Sequence, residues 1–232
     1  MENDSFHPLK LTGVLFDLDG TLLNTLDDLA ISANYALSEC RYPSRTKEEI
    51  RLFVGNGVYQ LIRRALPQEE PTKEEINECL DIFRSHYLVH MNDHTAPYDG
   101  ILPMLQRLKE AGYTIGVISN KLEPAVRQLC EHFFPGLVDI AVGDLPPRPN
   151  KPSPDIVFAA MEAVGLSQES CVYVGDTNVD IETGRNAGLS VISCSWGFRD
   201  REHLIQAGAT TIIEQPAELL KLLHLSGGFP PQ

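Results

Sequence analysis

Leu11-Thr12-Gly13-Val14-Leu15-Phe16-Asp17-Leu18-Asp19-Gly20-Thr21 begins as an apolar run and breaks into two aspartates, a glycine and a threonine. A short apolar run closed by Asp and Gly reads as a buried strand, because it lacks the length and 3.6-residue period of a helix. The same pattern recurs at residues 114–119, 138–143, 171–175 and 189–194, and in shorter form at 210–213. Amphipathic stretches lie between these runs at 101–111, 154–164 and 179–187. Each is followed by a glycine (Gly112, Gly165, Gly188) able to adopt the left-handed conformation that closes a helix. From Gly100 onward strands and helices alternate, which predicts an α/β fold: a doubly wound, Rossmann-like parallel sheet with helices on both faces.

Residues 22–97 break that alternation. They predict helices at 26–40, 47–53, 58–66 and 73–91, and no strand. Asn24 or Thr25 is placed to cap the first helix, and Thr72 with Glu75 forms a capping box for the last. This predicts a helical cap domain, 22–97, inserted into a catalytic core of 1–21 and 98–232. Pro97-Tyr98-Asp99-Gly100 is the return linker, and the Gly- and Pro-rich end, 226–232, is expected to fray.

The chain has 232 residues, 43% of them hydrophobic, and a formal charge of −13. The length suffices for a sizeable core. The acidic balance speaks against a nucleic-acid partner, which needs a basic surface. No run approaches the roughly 20 apolar residues of a membrane helix, and the acidic residues Glu2 and Asp4 near the N-terminus are unlike a signal peptide. Five scattered cysteines, Cys40, Cys79, Cys130, Cys171 and Cys194, with no CxxC, read as buried small hydrophobes in a reducing cytoplasm rather than as a disulfide or zinc framework. Nothing in the sequence sets an oligomeric state.

In parallel α/β sheets ligands bind beyond the carboxyl ends of the strands. Those ends carry Asp17-Leu18-Asp19-Gly20-Thr21, Ser119-Asn120-Lys121, Asn150-Lys151-Pro152 in the loop after the third run, and Gly175-Asp176-Thr177-Asn178-Val179-Asp180. Asp17, Asp19, Asp176 and Asp180 crowded into one crevice would repel unless a cation intervened, and an oxygen-only set suits Mg²⁺. Mg²⁺ with Lys151 would turn the crevice into a phosphate site, where Ser119 and nearby backbone N–H groups could hold phosphoryl oxygens.

The four segments, in this order, resemble the motifs of the haloacid dehalogenase superfamily of phosphohydrolases, and the resemblance spans essentially the whole chain. It implies that Asp17 is a nucleophile forming an aspartyl phosphate and that Asp19 is the general acid and then base. It implies that Asp17, the Asp19 backbone carbonyl and Asp176 hold Mg²⁺, and that Ser119, Asn120 and Lys151 bind the phosphoryl group. Gly20, Thr21, Gly175 and Asp180 have supporting roles. Gly55-Asn56-Gly57 with Arg63-Arg64, Ser119-Asn120-Lys121 and Trp196-Gly197-Phe198-Arg199 resemble the phosphoglycolate phosphatase subgroup. This makes Asn56, Arg63 and Arg64 candidate substrate contacts from the cap, and a small phosphorylated metabolite, 2-phosphoglycolate, the expected partner.

Other readings weigh against this one. A sugar phosphomutase, or a phosphatase of another sugar or nucleotide monophosphate, would share the fold. A signalling receiver domain also uses an Asp, a Ser/Thr and a Lys near Mg²⁺, but it is shorter and lacks a second Asp two positions on. The aspartates and Ser119-Asn120 could be helix caps and Lys151 a surface residue. His86, His90 and His94, spaced by four, could offer imidazoles to zinc, but no acidic partner is evident and a solvated helix face is the simpler reading.

Overall fold

The computed structural model describes residues 11–225. The expected fraying of 226–232 and the acidic N-terminal stretch up to residue 10 lie outside the described residues. The chain opens with strand β1 (Gly13–Phe16), then a two-residue strand β2 (Leu23–Asn24) and four helices, α1 (Leu26–Glu39), α2 (Lys47–Phe53), α3 (Val58–Ala65) and α4 (Lys73–His90). It returns through β3 (Ala96–Pro97) to α5 (Ile101–Glu110), β4 (Thr114–Leu122), α6 (Glu123–Phe133), β5 (Ile140–Asp144) and α7 (Asp155–Ala163). It ends with β6 (Cys171–Gly175), α8 (Asn178–Asn186), β7 (Ser190–Cys194), α9 (Arg201–Gln206), β8 (Ile212–Ile213) and α10 (Pro216–Leu222).

Six strands form one parallel sheet in the order β5-β4-β1-β6-β7-β8. Side chains of a strand alternate between faces, and the core divides accordingly. Val14 and Phe16 of β1 and Val172 and Val174 of β6 join a cluster with Leu105 of α5, Leu129 of α6 and Leu219 of α10. Leu15 and Tyr173 point the other way, toward Val157 and Ala160 of α7. Helices therefore cover both faces, as the unbroken apolar runs require. β1 is central, and the chain builds β4 and β5 on one side of it before crossing to β6 on the other. That reversal opens a crevice at the carboxyl ends of β4, β1 and β6.

Two structural features depart from the sequence reading. β2 and β3 pair antiparallel, Leu23 with Pro97 and Asn24 with Ala96, forming a ribbon where the helical stretch leaves and rejoins the core. Each strand is two residues long and one contains proline, so neither carries a periodic signal. Cys40 and Cys79 are bonded to each other, their Cα atoms 6.2 Å apart. The expectation of five free thiols is corrected: α1 and α4 pack side by side, and this brings together cysteines that lie 39 residues apart. Cys130, Cys171 and Cys194 are free and buried.

The capping box at Thr72 and Glu75 forms, and a second one, Thr46 with Glu49, opens α2. Thr25 takes the N-cap position of α1 but its hydroxyl caps nothing, because its backbone (φ −104°, ψ 3°) is not in the extended conformation that aims a cap side chain at the free N–H groups. Asn24 Oδ1 accepts only a long bond, 3.5 Å, from the Leu26 N–H. His86 and His90 stack on one face of α4, their ring centres 4.4 Å apart, but His94 does not join them. His94 lies beyond α4 and bonds Asp28, His90 bonds Asp93, and His86 bonds Ser32. Among the described residues no helix is long and apolar enough to cross a membrane.

Candidate active site

Register sets the site. Phe16 pairs with Val117 on one side and Val174 on the other, so the next residue, Asp17, emerges beside the last residue of β6, while β4 runs on past it to Leu122. The Asp17 N–H still donates to the Val174 carbonyl at 2.9 Å, which fixes its direction. Gly20 turns the chain with φ +87°, a conformation that side chains resist, and its Cα faces the Asp176 carboxylate so closely that a Cβ could not fit. Gly197 leaves the same carboxylate room from the other side, against the Gly20 carbonyl.

Asp17, Asp176 and Asp180 form a buried trio whose carboxylate oxygens lie within 4.8 Å of one another. Lys151 answers two of them: its ammonium lies 2.8 Å from Asp17 Oδ1 and 2.8 Å from Asp180 Oδ1, and 3.2 Å from the Tyr173 hydroxyl. Asp180 has no oxygen to spare. Its Oδ1 also receives the Tyr173 hydroxyl at 3.3 Å, and its Oδ2 accepts from the Thr177 N–H and hydroxyl at 3.0 and 2.7 Å. Asp176 accepts from the Phe198 N–H at 2.6 Å and the Thr21 hydroxyl at 3.2 Å.

The electrostatics follow from burial. Asp17 is pushed up to about 7, first by loss of water and then by Asp180, with Lys151 pulling the other way. Asp176 is raised well above the usual carboxylate range by burial, then by Asp180 and Asp17, against the Phe198 N–H and Thr21 hydroxyl. Burial alone would lower Lys151, but Asp17 and Asp180 outweigh it and hold the ammonium charged well above its ordinary range. One lysine against three buried carboxylates leaves the pocket short of positive charge. A hard divalent cation fits that deficit, with Asp17 and Asp176 as the carboxylates that have coordination capacity left.

The Asp19 carboxylate stands apart from the trio, with its Oδ1 2.8 Å from the Lys121 ammonium. Ser119 is buried, and its hydroxyl accepts from the Lys121 N–H at 3.2 Å. Asn120, expected to bind phosphate, lines the same cavity as Ser119, and its side chain also anchors Lys151. Its Oδ1 accepts from the Lys151 N–H at 2.7 Å, and its Nδ2 donates to the Lys151 carbonyl at 3.0 Å and the Gly55 carbonyl at 3.2 Å. It therefore fixes the backbone of Lys151 and ties the core to the loop between α2 and α3.

A cavity of about 50 Å³ joins these groups. Asp17, Asp19, Ser119, Lys121 and Lys151 line its core side, and Leu29, Val54, Val58 and Leu61 line the helical side. Asn56, Arg63 and Arg64 are not among its walls. α3 turns Val58, Leu61, Ile62 and Ala65 inward, so Arg63 and Arg64 fall on its exposed face. Arg64 instead donates to the Phe53 carbonyl at 2.8 Å and to Asn56 Oδ1 at 2.9 Å, tying off the end of α2.

Sequence reasoning did not assign roles to Lys121, Tyr173, Thr177 or Phe198. Tyr173 reads as a core strand residue and Phe198 acts through its backbone, so neither carries a chemical signal. Lys121 comes two residues after the apolar run at 114–119, beside Ser119 and Asn120, and that position was the available clue.

The family model described as haloacid dehalogenase-like hydrolase matches residues 14–194. The chain belongs to this family. It is 32% identical to the phosphoglycolate phosphatase of Aquifex aeolicus (strain VF5) over 211 residues, covering 90% of this chain and 95% of that one. It is also 32% identical to the phosphoglycolate phosphatase of Thiobacillus denitrificans, covering 91% and 95%. A crystal structure from Lactobacillus delbrueckii subsp. bulgaricus, provisionally named a phosphoglycolate phosphatase, superposes with a TM-score of 0.87 at 32% identity, covering 92% of this chain and 98% of that chain. This haloacid dehalogenase-like hydrolase is thus a phosphatase. Phosphatases of the family generally use a divalent metal, in keeping with the charge deficit of the carboxylate trio.

Proposed function

We propose that the protein hydrolyses 2-phosphoglycolate to glycolate and inorganic phosphate through an aspartyl-phosphate intermediate, with Mg²⁺ as its metal. The observation that carries this reading is Asp17: a buried carboxylate at the end of the central strand, held by Lys151 and sharing its pocket with Asp176. Residues 22–97 serve as a cap domain over a core formed by 1–21 and 98–232, and the β2–β3 ribbon is the hinge between them.

An Asp17 carboxylate oxygen attacks phosphorus as the bond from phosphorus to the glycolate oxygen breaks. Asp19 gives its proton to that departing oxygen. Asp19 then takes a proton from water as the water attacks phosphorus, the bond from phosphorus to Asp17 breaks, and phosphate leaves. Lys151 neutralises charge on the transferring group, and the Ser119 hydroxyl, facing the same cavity, donates to a phosphoryl oxygen. Asp180 and Tyr173 hold Lys151 in place, and Asn120 fixes its backbone. Mg²⁺ on Asp17 and Asp176, with the Asp19 carbonyl, supplies the remaining positive charge when bound.

The small cavity and its apolar roof support a short substrate over a sugar or nucleotide phosphate. The test is a panel of phosphate monoesters scored for released phosphate with and without Mg²⁺. The expected result is Mg²⁺-dependent release with the highest kcat/KM on 2-phosphoglycolate. A preference for hexose or nucleoside phosphates, or a requirement for a bisphosphate activator, would overturn it.

A further inference from the structure

Two cations line the cavity. Lys151 is engaged by Asp17 and Asp180, and Lys121 is paired with Asp19 alone. Lys121 is 4% exposed, so its charge is costly to bury and needs an anion beside it. The pairing with Asp19 is imperfect. The ammonium approaches Asp19 Oδ1 to 2.8 Å but off the direction of a hydrogen bond, which leaves that buried oxygen without a donor. The ammonium stands 4.6 Å from the centre of the Tyr87 ring, and the buried Tyr87 hydroxyl also lacks a partner. These unsatisfied groups lie on the Asp19 side of the cleft, away from the carboxylate trio.

The roof offers no competing cation, since Leu29, Val54, Val58 and Leu61 are apolar and Arg63 and Arg64 are turned away. Lys121 is therefore the cavity-lining cation that the carboxylate trio does not hold.

We infer that Lys121 determines specificity by receiving a carboxylate of the substrate beside Asp19. The inference rests on the proposed roles of Asp17 and Asp19. The leaving oxygen must lie against Asp19, and the Lys121 ammonium lies 2.8 Å from Asp19 Oδ1. The carboxylate must then sit close to the ester oxygen, on the carbon that carries it. The substrate class is a small phosphomonoester of an α-hydroxy acid. An ester without the carboxylate makes no ion pair with Lys121 and is turned over poorly.

The experiment compares 2-phosphoglycolate with ethyl phosphate. Removing Lys121 alone leaves Asp19 without its cation, so the lysine is removed in the Asp19→Asn background, and the fold of each variant is checked by its thermal melt before binding is compared. Binding of both esters is measured by calorimetry in Asp19→Asn and in Asp19→Asn/Lys121→Met, each with Mg²⁺. Loss of the lysine should weaken 2-phosphoglycolate about tenfold or more relative to ethyl phosphate. In the folded Lys121→Arg enzyme, part of the kcat/KM preference for the carboxylated ester should survive. A relative loss well below tenfold in the double variant overturns the inference. Failure of the wild-type enzyme to prefer 2-phosphoglycolate in the ester panel would instead overturn the proposed function, so the two failures are separable.

Discussion

The Lys151 ammonium lies 2.8 Å from Asp17 Oδ1, and the same atom lies 2.8 Å from Asp180, which is itself locked by Thr177. Asp17 is thus held through a lysine that cannot swing away. Lys151→Met would leave three buried carboxylates with no cation. Removing one partner of a buried ion pair costs about 3 to 5 kcal/mol. Urea unfolding should show a loss of that size, and turnover should vanish. A variant as stable as wild type would mean that Lys151 is not holding the trio.

Metal removal should depend on pH in a definite direction. Asp17 is raised toward about 7 and Asp176 well above its ordinary value, so between the unfolded value of 3.8 and about 7 the metal-free folded state binds more protons than the unfolded state. Stability of the metal-free protein is therefore fullest at low pH and falls as pH rises through this window. Mg²⁺ needs the ionised carboxylates and opposes the fall. The rise in Tm on adding Mg²⁺ should be small near about pH 5.5 and larger near about pH 8. A shift independent of pH would contradict binding at the trio.

Arg199 belongs to the core loop but donates to the end of α2: to the Arg51 carbonyl at 2.8 Å, the Leu52 carbonyl at 3.2 Å and the Val54 carbonyl at 3.2 Å. Arg51 returns a bond to the Phe198 carbonyl, and the Phe198 N–H holds Asp176. These contacts fasten the helical roof to the carboxylate trio. Arg199→Ala should loosen the roof, raising hydrogen exchange in α2 and raising KM about 3- to 10-fold with a smaller effect on kcat. Unchanged exchange in α2 would show that the roof is held elsewhere.

Asp19→Asn should lower kcat by about 100- to 10,000-fold, roughly 3 to 5 kcal/mol of barrier, if Asp19 supplies the proton. Binding of an unreactive phosphate analogue should persist. A loss below about tenfold would remove Asp19 from the acid–base role.

What could be read from the sequence tracks the range of the interaction. Strand β1 and the aspartates after it were legible because an apolar run meeting Asp and Gly is a local signal. So were the helices of the insertion, whose apolar period and caps repeat within a few residues. α6 had less local signal: Pro124 looks like a breaker, yet it sits in the first turn, where its missing N–H costs nothing. The pairing of Asp19 with Lys121, the bonding of Cys40 to Cys79 and the grip of Arg199 on α2 depend on residues 39 to 148 positions apart. Such contacts exist only after the helices and strands have packed. The outward turn of Arg63 and Arg64 was hidden for the same reason, since only the packed face of α3 decides which residues reach the cavity.

The most direct measurement follows phosphorus. Wild-type enzyme and Asp19→Asn, which should slow breakdown of the intermediate, are mixed with ³²P-labelled substrate and Mg²⁺, quenched in acid, reduced with borohydride and mapped by peptide mass spectrometry. Label held by the protein and lost at alkaline pH, with Asp17 converted to homoserine, is the expected outcome. Phosphate released with no labelled protein at any time point, or label carried by Ser119, would contradict the role given to Asp17.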